Sequence, residues 1–148
     1  MNNLPPILGS DNELADAMLV EKVCKDLQIS NLIIHLFNSK EALDYLRHEN
    51  NKKPFIVLAG LSTPEMDGFQ FLSIVKSDDV LKKIPVVVLS GSDNDYDVDK
   101  CFELGASGYM VKPFEYNKMV EMIATVFNYW TLSQSPNKQQ VALQNFSA

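Results

Sequence analysis

Apolar residues along this chain follow two alternating patterns. Short β-rich runs occupy 7–8, 32–37, 55–59, 86–89 and 109–111. Several are apolar almost throughout, as strands covered on both faces tend to be. Between them the spacing lengthens to that of helices. From Glu13 onward, Ala17, Val20, Cys24 and Leu27 fall on one stripe. A second helix begins after Ser39, read as its N-cap, and turns Ala42, Leu43 and Leu46 inward. Residues 69–75 and 98–104 supply two more. The last helix runs from Glu115 to about Trp130, with Tyr116, Met119, Val120, Ile123, Phe127 and Trp130 on one face.

Regular alternation of strand and helix predicts right-handed βαβ crossovers and a doubly wound α/β sheet of five parallel strands in a single domain. No internal repeat is visible. The domain is expected to span 1–130. The polar run Ser133-Gln134-Ser135-Pro136-Asn137-Lys138-Gln139-Gln140 marks 131–148 as a flexible C-terminal tail.

Composition narrows the function classes. The 148 residues are 46% hydrophobic and 22% charged, ordinary for a globular chain. A net charge of −6 argues against a nucleic-acid partner, which needs clustered Lys and Arg. No apolar run approaches the roughly 20 residues of a membrane helix. The opening Met1-Asn2-Asn3-Leu4-Pro5-Pro6 has no basic region ahead of an apolar one, so a cytoplasmic location is expected. Cys24 and Cys101 sit among apolar neighbours and read as small, reduced core residues.

In open parallel sheets, ligands bind where strands end and helices begin. Ser10 and Asp11 follow the first strand, Gly60-Leu61-Ser62 the third, Ser90-Gly91-Ser92 the fourth and Lys112-Pro113 the fifth. These points should converge on one crevice. Asp93, Asp95, Asp97 and Asp99 resemble a metal cluster but suit the start of a helix better, where carboxylates favour the macrodipole. His35 and His48 have no partner that suggests metal binding or catalysis. Gly9-Ser10-Asp11-Asn12-Glu13 is not a glycine-rich phosphate loop.

The chain from about Ile7 to Trp130 resembles a response-regulator receiver domain of two-component signalling. The resemblance rests on Pro64-Glu65-Met66-Asp67-Gly68-Phe69, on Ile84-Pro85-Val86-Val87-Val88-Leu89-Ser90, and on Gly105-Ala106-Ser107-Gly108-Tyr109-Met110-Val111-Lys112-Pro113-Phe114. It implies a flavodoxin-like fold with strand order 2-1-3-4-5. It implies an acidic pair after the first strand, which here reads Ser10-Asp11 and leaves Asp11 as the metal carboxylate. Ser90 and Tyr109 match the switch residues, and Lys112-Pro113 matches the conserved-type lysine with a cis peptide at Pro113. The phosphoacceptor Asp at the end of the third strand falls on Gly60, which has no side chain to phosphorylate.

The resemblance therefore implies a stand-alone signalling module that is not an enzyme and is not phosphorylated at the usual site. Its degenerate pocket comprises Ser10, Asp11, Gly60, Ser62, Ser90 and Lys112. No cofactor is expected, and Mg²⁺ binding should be weak at best. A protein partner (a kinase, another receiver or a second copy) would dock on the face made by the fourth helix, fifth strand and fifth helix. Two alternatives stand beside this. The vacated pocket could hold a small anion or phosphorylated metabolite through Lys112, Ser90 and backbone N–H groups near Gly60. A substitute residue such as Ser62 or Asp11 could also take the phosphoryl group. Lacking an acceptor carboxylate, Lys112 is expected to pair with Asp11.

Overall fold

The structure, a computed structural model, describes residues 4–136. Five parallel strands form one sheet: β1 (Ile7–Ser10), β2 (Ile33–Leu36), β3 (Ile56–Ala59), β4 (Val86–Ser90) and β5 (Gly108–Val111), in the order β2-β1-β3-β4-β5. Five helices connect and follow them: α1 (Leu14–Asp26), α2 (Ser39–Arg47), α3 (Gly68–Ser77), α4 (Asp95–Glu103) and α5 (Tyr116–Leu132). A short 3₁₀ turn at Leu81–Lys83, which apolar spacing does not signal, leads into β4.

Alternation along the central strands divides the core in two. Val57, Ala59, Val86 and Val88 face α2, α3 and α4, where they meet Leu43, Leu46, Phe71, Leu72, Val75 and Cys101. Ile56, Leu58 and Val87 face the other way and meet Val20, Val23 and Cys24 of α1 with Met119, Ile123 and Phe127 of α5. β1 and β3 are buried along their whole length, which explains their unbroken apolar sequence. Both cysteines are buried and free, and burial pushes the thiol of Cys24 up to about 12 and that of Cys101 to about 11.

Helix starts are set by side-chain caps. The Asn38 side chain accepts from the Glu41 N–H, so Asn38 is the N-cap of α2. Ser39, expected in that role, is the first helical residue instead; it is fully buried, with its hydroxyl 2.7 Å from Thr63 Oγ1. Asp67 and Gln70 form a capping box at α3. α4 begins three residues earlier than its apolar spacing suggests, because Asn94 caps it and Asp95 and Asp97 lie in its first turn. It ends at Glu103 with Leu104 as its C-cap, and Gly105 just beyond has a φ of 102°, the left-handed conformation that favours glycine after a helix terminus. A Cβ there would lie 2.8 Å from Lys76 Cγ, so the α4–β5 turn is pressed against the end of α3. α5 continues to Leu132, two residues into the segment expected to be tail; 137–148 lie outside the described residues.

Phe71 and Phe127 are fully buried, one in each half of the core. Replacing either with Ala should cost about 3–5 kcal/mol, measured by urea unfolding. A loss below about 1 kcal/mol at one position would mean that its half of the core can collapse around the cavity.

Candidate functional site

All five strands run the same way, so their carboxyl ends open on one edge. A crevice of about 250 Å³ lies there, lined by Asp11, Asn12, Glu13, Gly60, Leu61, Ser62, Leu89, Ser90, Gly91, Ser92 and Lys112. Asp11, Gly60, Ser62, Ser90 and Lys112 therefore come together as their positions at strand ends require. Ser10 is absent from this lining. It is fully buried, and its neighbours in the strand, Gly9 and Asp11, lie on the opposite side of the alternation. The residues that enter the crevice after β1 are Asp11, Asn12 and Glu13, so of the pair expected from the sequence only Asp11 lines it.

Gly60 directly follows β3, with its N–H donating to Ser10 O at 2.7 Å. Its φ lies outside the left-handed region, so backbone conformation does not demand glycine. A Cβ at this position would lie 3.3 Å from Ser10 O and 3.7 Å from Asp11 Cγ, directly beside the crevice carboxylate. Gly68 is different. A Cβ there would come within 2.5 Å of Gly60 O and 2.8 Å of Leu61 Cα. Glycine at the start of α3 lets the helix close on the end of β3, and its N–H donates to Leu61 O at 2.8 Å.

Lys112 projects from the end of β5 into a nest of carboxylates. Its Nζ lies 3.1 Å from Asp11 Oδ2, 2.5 Å from Asp16 Oδ2 and 3.8 Å from Glu13 Oε1. The expected pair with Asp11 is present, and two further acids join it. Asp16 belongs to the first turn of α1, and Glu13 is the residue that precedes that helix. Sequence reasoning missed both because it considered only residues directly after each strand. The available signal was spacing, since Glu13 and Asp16 are three residues apart on one helix face, above Asp11.

Burial and mutual influence set the charges of this cluster. Burial and the adjacent Asp16 carboxylate push Asp11 above the usual carboxylate value of 3.8, against the pull of Lys112 and the Glu13 N–H. Burial alone would depress the Lys112 ammonium. Hydrogen bonding to Asp16 and the charge of Asp11 outweigh it and hold Lys112 above the ordinary 10.5. The peptide bond that follows is trans, as is every peptide among the described residues, so the expected cis bond at Pro113 is absent. The end of β5 already delivers Lys112 to the carboxylates, and nothing offsets the intrinsic preference of about 0.5–1 kcal/mol for trans.

Ser90 and Tyr109 converge on one residue of the β4–α4 loop. Ser90 Oγ accepts from the Ser92 N–H at 3.1 Å, and the Tyr109 hydroxyl donates to Ser92 O at 2.8 Å. Ser92 Oγ in turn donates to Asp97 Oδ2 at 2.7 Å. On the far side of the crevice, His35 Nε2 lies 2.9 Å from Asp11 O and donates to it, joining edge strand β2 to the acidic cluster.

The chemistry of the donor set suits a cation. Ligand oxygens of Asp11, Glu13 and Asp16 all lie within 4.8 Å of one another. Such an acidic pocket can bind Mg²⁺ or Mn²⁺ through hard oxygen ligands. The four acids at 93, 95, 97 and 99 form no such group among the described residues.

The pKa of Lys112 makes the cluster testable by pH. Its folded-state value lies above its unfolded value, so its contribution is complete below pH 10.5 and is lost as pH climbs through the folded value. Urea unfolding of the wild type and Lys112→Met should show a stability gap that is constant up to that pH and closes above it. A gap that persists at the alkaline end would place the contribution of Lys112 in its aliphatic packing.

Comparisons with known proteins agree with this architecture. Residues 10–124 match the response regulator receiver domain. The chain is 35% identical over 127 residues to the probable methanogenesis regulatory protein FilR2 of Methanothrix harundinacea, covering 84% of this chain and 81% of the relative. It is 33% identical over 132 residues to response regulator Rcp1 of Synechocystis, covering 85% and 90%. Among solved structures, the phosphorylated cyanobacterial phytochrome response regulator RcpA superposes with a TM-score of 0.85 at 28% identity, covering 90% of this chain and 99% of that one. The Mn²⁺-bound form of Rcp1 gives 0.83 at 30% identity, covering 89% and 99%. Sheet order, crevice and matched sequence together make this chain a member of the response regulator receiver domain family, a signalling protein of the two-component type.

Proposed function

We propose that this receiver acts without phosphorylation at the usual position, as a protein-interaction module in two-component signalling. The observation that carries the reading is Gly60. The end of β3 places it beside Asp11 at the floor of the crevice, where the resemblance expects the acceptor carboxylate, and it has no side chain to serve as nucleophile. Ser62 also lines the crevice, but among the described residues no hydrogen bond joins its hydroxyl to a base that could activate it. The hydrogen bonds that Ser92 makes, donating from its N–H to Ser90 Oγ and accepting at its carbonyl from Tyr109, give the β4–α4 loop a defined position through groups of the chain itself.

A module of this kind signals through its surface. α4, β5 and α5 carry exposed Tyr96, Phe102, Val111, Tyr116 and Tyr129, more apolar side chain than the solvent face of a helical layer needs. This is the surface proposed for a kinase, another receiver or a second copy. The net charge of −6 leaves nucleic acid an unfavourable partner, and no described helix is long and apolar enough to cross a membrane. The anion-binding reading is weakened by the geometry of Lys112, because its ammonium is engaged by three carboxylates.

The direct test is chemical. Incubation with acetyl phosphate and Mg²⁺ should leave the intact mass unchanged. A stoichiometric gain of one phosphoryl group would overturn the reading, and peptide mapping would then show whether Ser62 or Asp11 had taken over.

A further inference from the structure

Asp11, Glu13 and Asp16 have the right chemistry for a divalent cation, yet the arrangement in which the chain holds them does not fit one. Mg²⁺ requires an octahedron of oxygens at about 2.1 Å. Here the carboxylates converge on the ammonium of Lys112, at 3.1, 3.8 and 2.5 Å. Asp11 Oδ2 accepts a hydrogen bond from this ammonium, and Asp16 and Glu13 add ion-pair contacts to it. A metal drawn to the same oxygens would meet a like charge at close range. The residue after β3 could have offset that cost with a further oxygen ligand, but it is Gly60.

We propose that Lys112 is the resident cation of this crevice, an internal ammonium seated where a divalent ion would otherwise be held. Two features make it fit to stay. Its side chain is 17% exposed, and those of Asp11 and Asp16 are 12% and 13%, so the contacts are made largely out of water, where screening is weak. Every charge around it is accounted for: Asp11 from the end of β1, Glu13 and Asp16 from the start of α1, and Lys112 from the end of β5. The top of the sheet is thus clamped without metal. This inference goes beyond the missing acceptor, since a chain with Gly60 could still bind Mn²⁺ through its three acids.

The experiment uses Mn²⁺ as a paramagnetic probe of the whole chain, read by the broadening of backbone amide NMR signals. In the wild type, low-millimolar Mn²⁺ should leave the amides of residues 11–16 no more broadened than those of other surface acids. In Lys112→Met the same amides should broaden selectively, with Mn²⁺ affinity at least about tenfold higher once the competing charge is gone. Lys112→Gln, which keeps a hydrogen-bonding end group while removing the charge, covers the case in which the methionine variant does not fold. Selective broadening at 11–16 in the wild type, at concentrations that also saturate the variant, overturns the proposal. So does a folded charge-free variant whose Mn²⁺ affinity is unchanged. Neither result bears on the phosphodonor experiment, so the two readings fail separately.

Discussion

An ammonium mostly withdrawn from water at the mouth of a parallel sheet has to be neutralised from inside the fold. Lys112 meets that requirement across 101 residues of sequence, with Asp11 at the other end of the separation. Between the strands that carry them lie β3 and β4, so the contact spans the width of the crevice. The parallel arrangement makes this possible. It brings every strand's carboxyl end to one edge, and the helix that follows β1 presents its first turn there. The acidic residues of the β1–α1 segment are therefore fixed by the charge they surround as much as by their own backbone.

The fold was legible in the sequence because burial on both faces leaves so strong a mark. Runs such as Ile56–Ala59 and Val86–Ser90 admit few readings besides interior parallel strands. Cap chemistry was less legible. Asn38 and Ser39 are adjacent and both are good caps, and only the contact of the Ser39 hydroxyl with Thr63 separates them. The crevice was legible wherever a residue directly follows a strand, as with Asp11, Gly60, Ser90 and Lys112. It failed where the relevant group sits a helical turn further on, as with Asp16, or where a strand's last residue turns inward, as with Ser10. The trans bond at Pro113 belongs to a third kind, in which a resemblance supplied a feature that the local geometry does not require.

On the proposed reading of Gly60, the rest of the receiver apparatus has a different job. Ser90 and Tyr109 hold Ser92 from its N–H and its carbonyl, and neither contact needs a phosphoryl group. The clamp at Lys112 and the two bonds at Ser92 lie on either side of the crevice, joined through β5, which supplies both Tyr109 and Lys112. The effect is a rim held at several points by groups that belong to the chain itself. On that same reading, a partner that meets this rim finds a shape set by translation alone, whose amount rather than chemical state carries information.

The two glycines that bracket α4 give that helix unequal ends. At Gly105 there is no room: Lys76 lies against the turn, and its Nζ is tied to the carbonyls of Lys82 and Ile84 at 3.0 and 2.6 Å. At Gly91 an added Cβ would meet nothing within 4 Å. Steric contact pins the lower end of α4, while the crevice end is held by hydrogen bonds that can exchange with water. The two ends of α4 are therefore held by different means, close packing at one and hydrogen bonds at the other. Space for a larger residue is thus present at the crevice end of α4 and absent at the other.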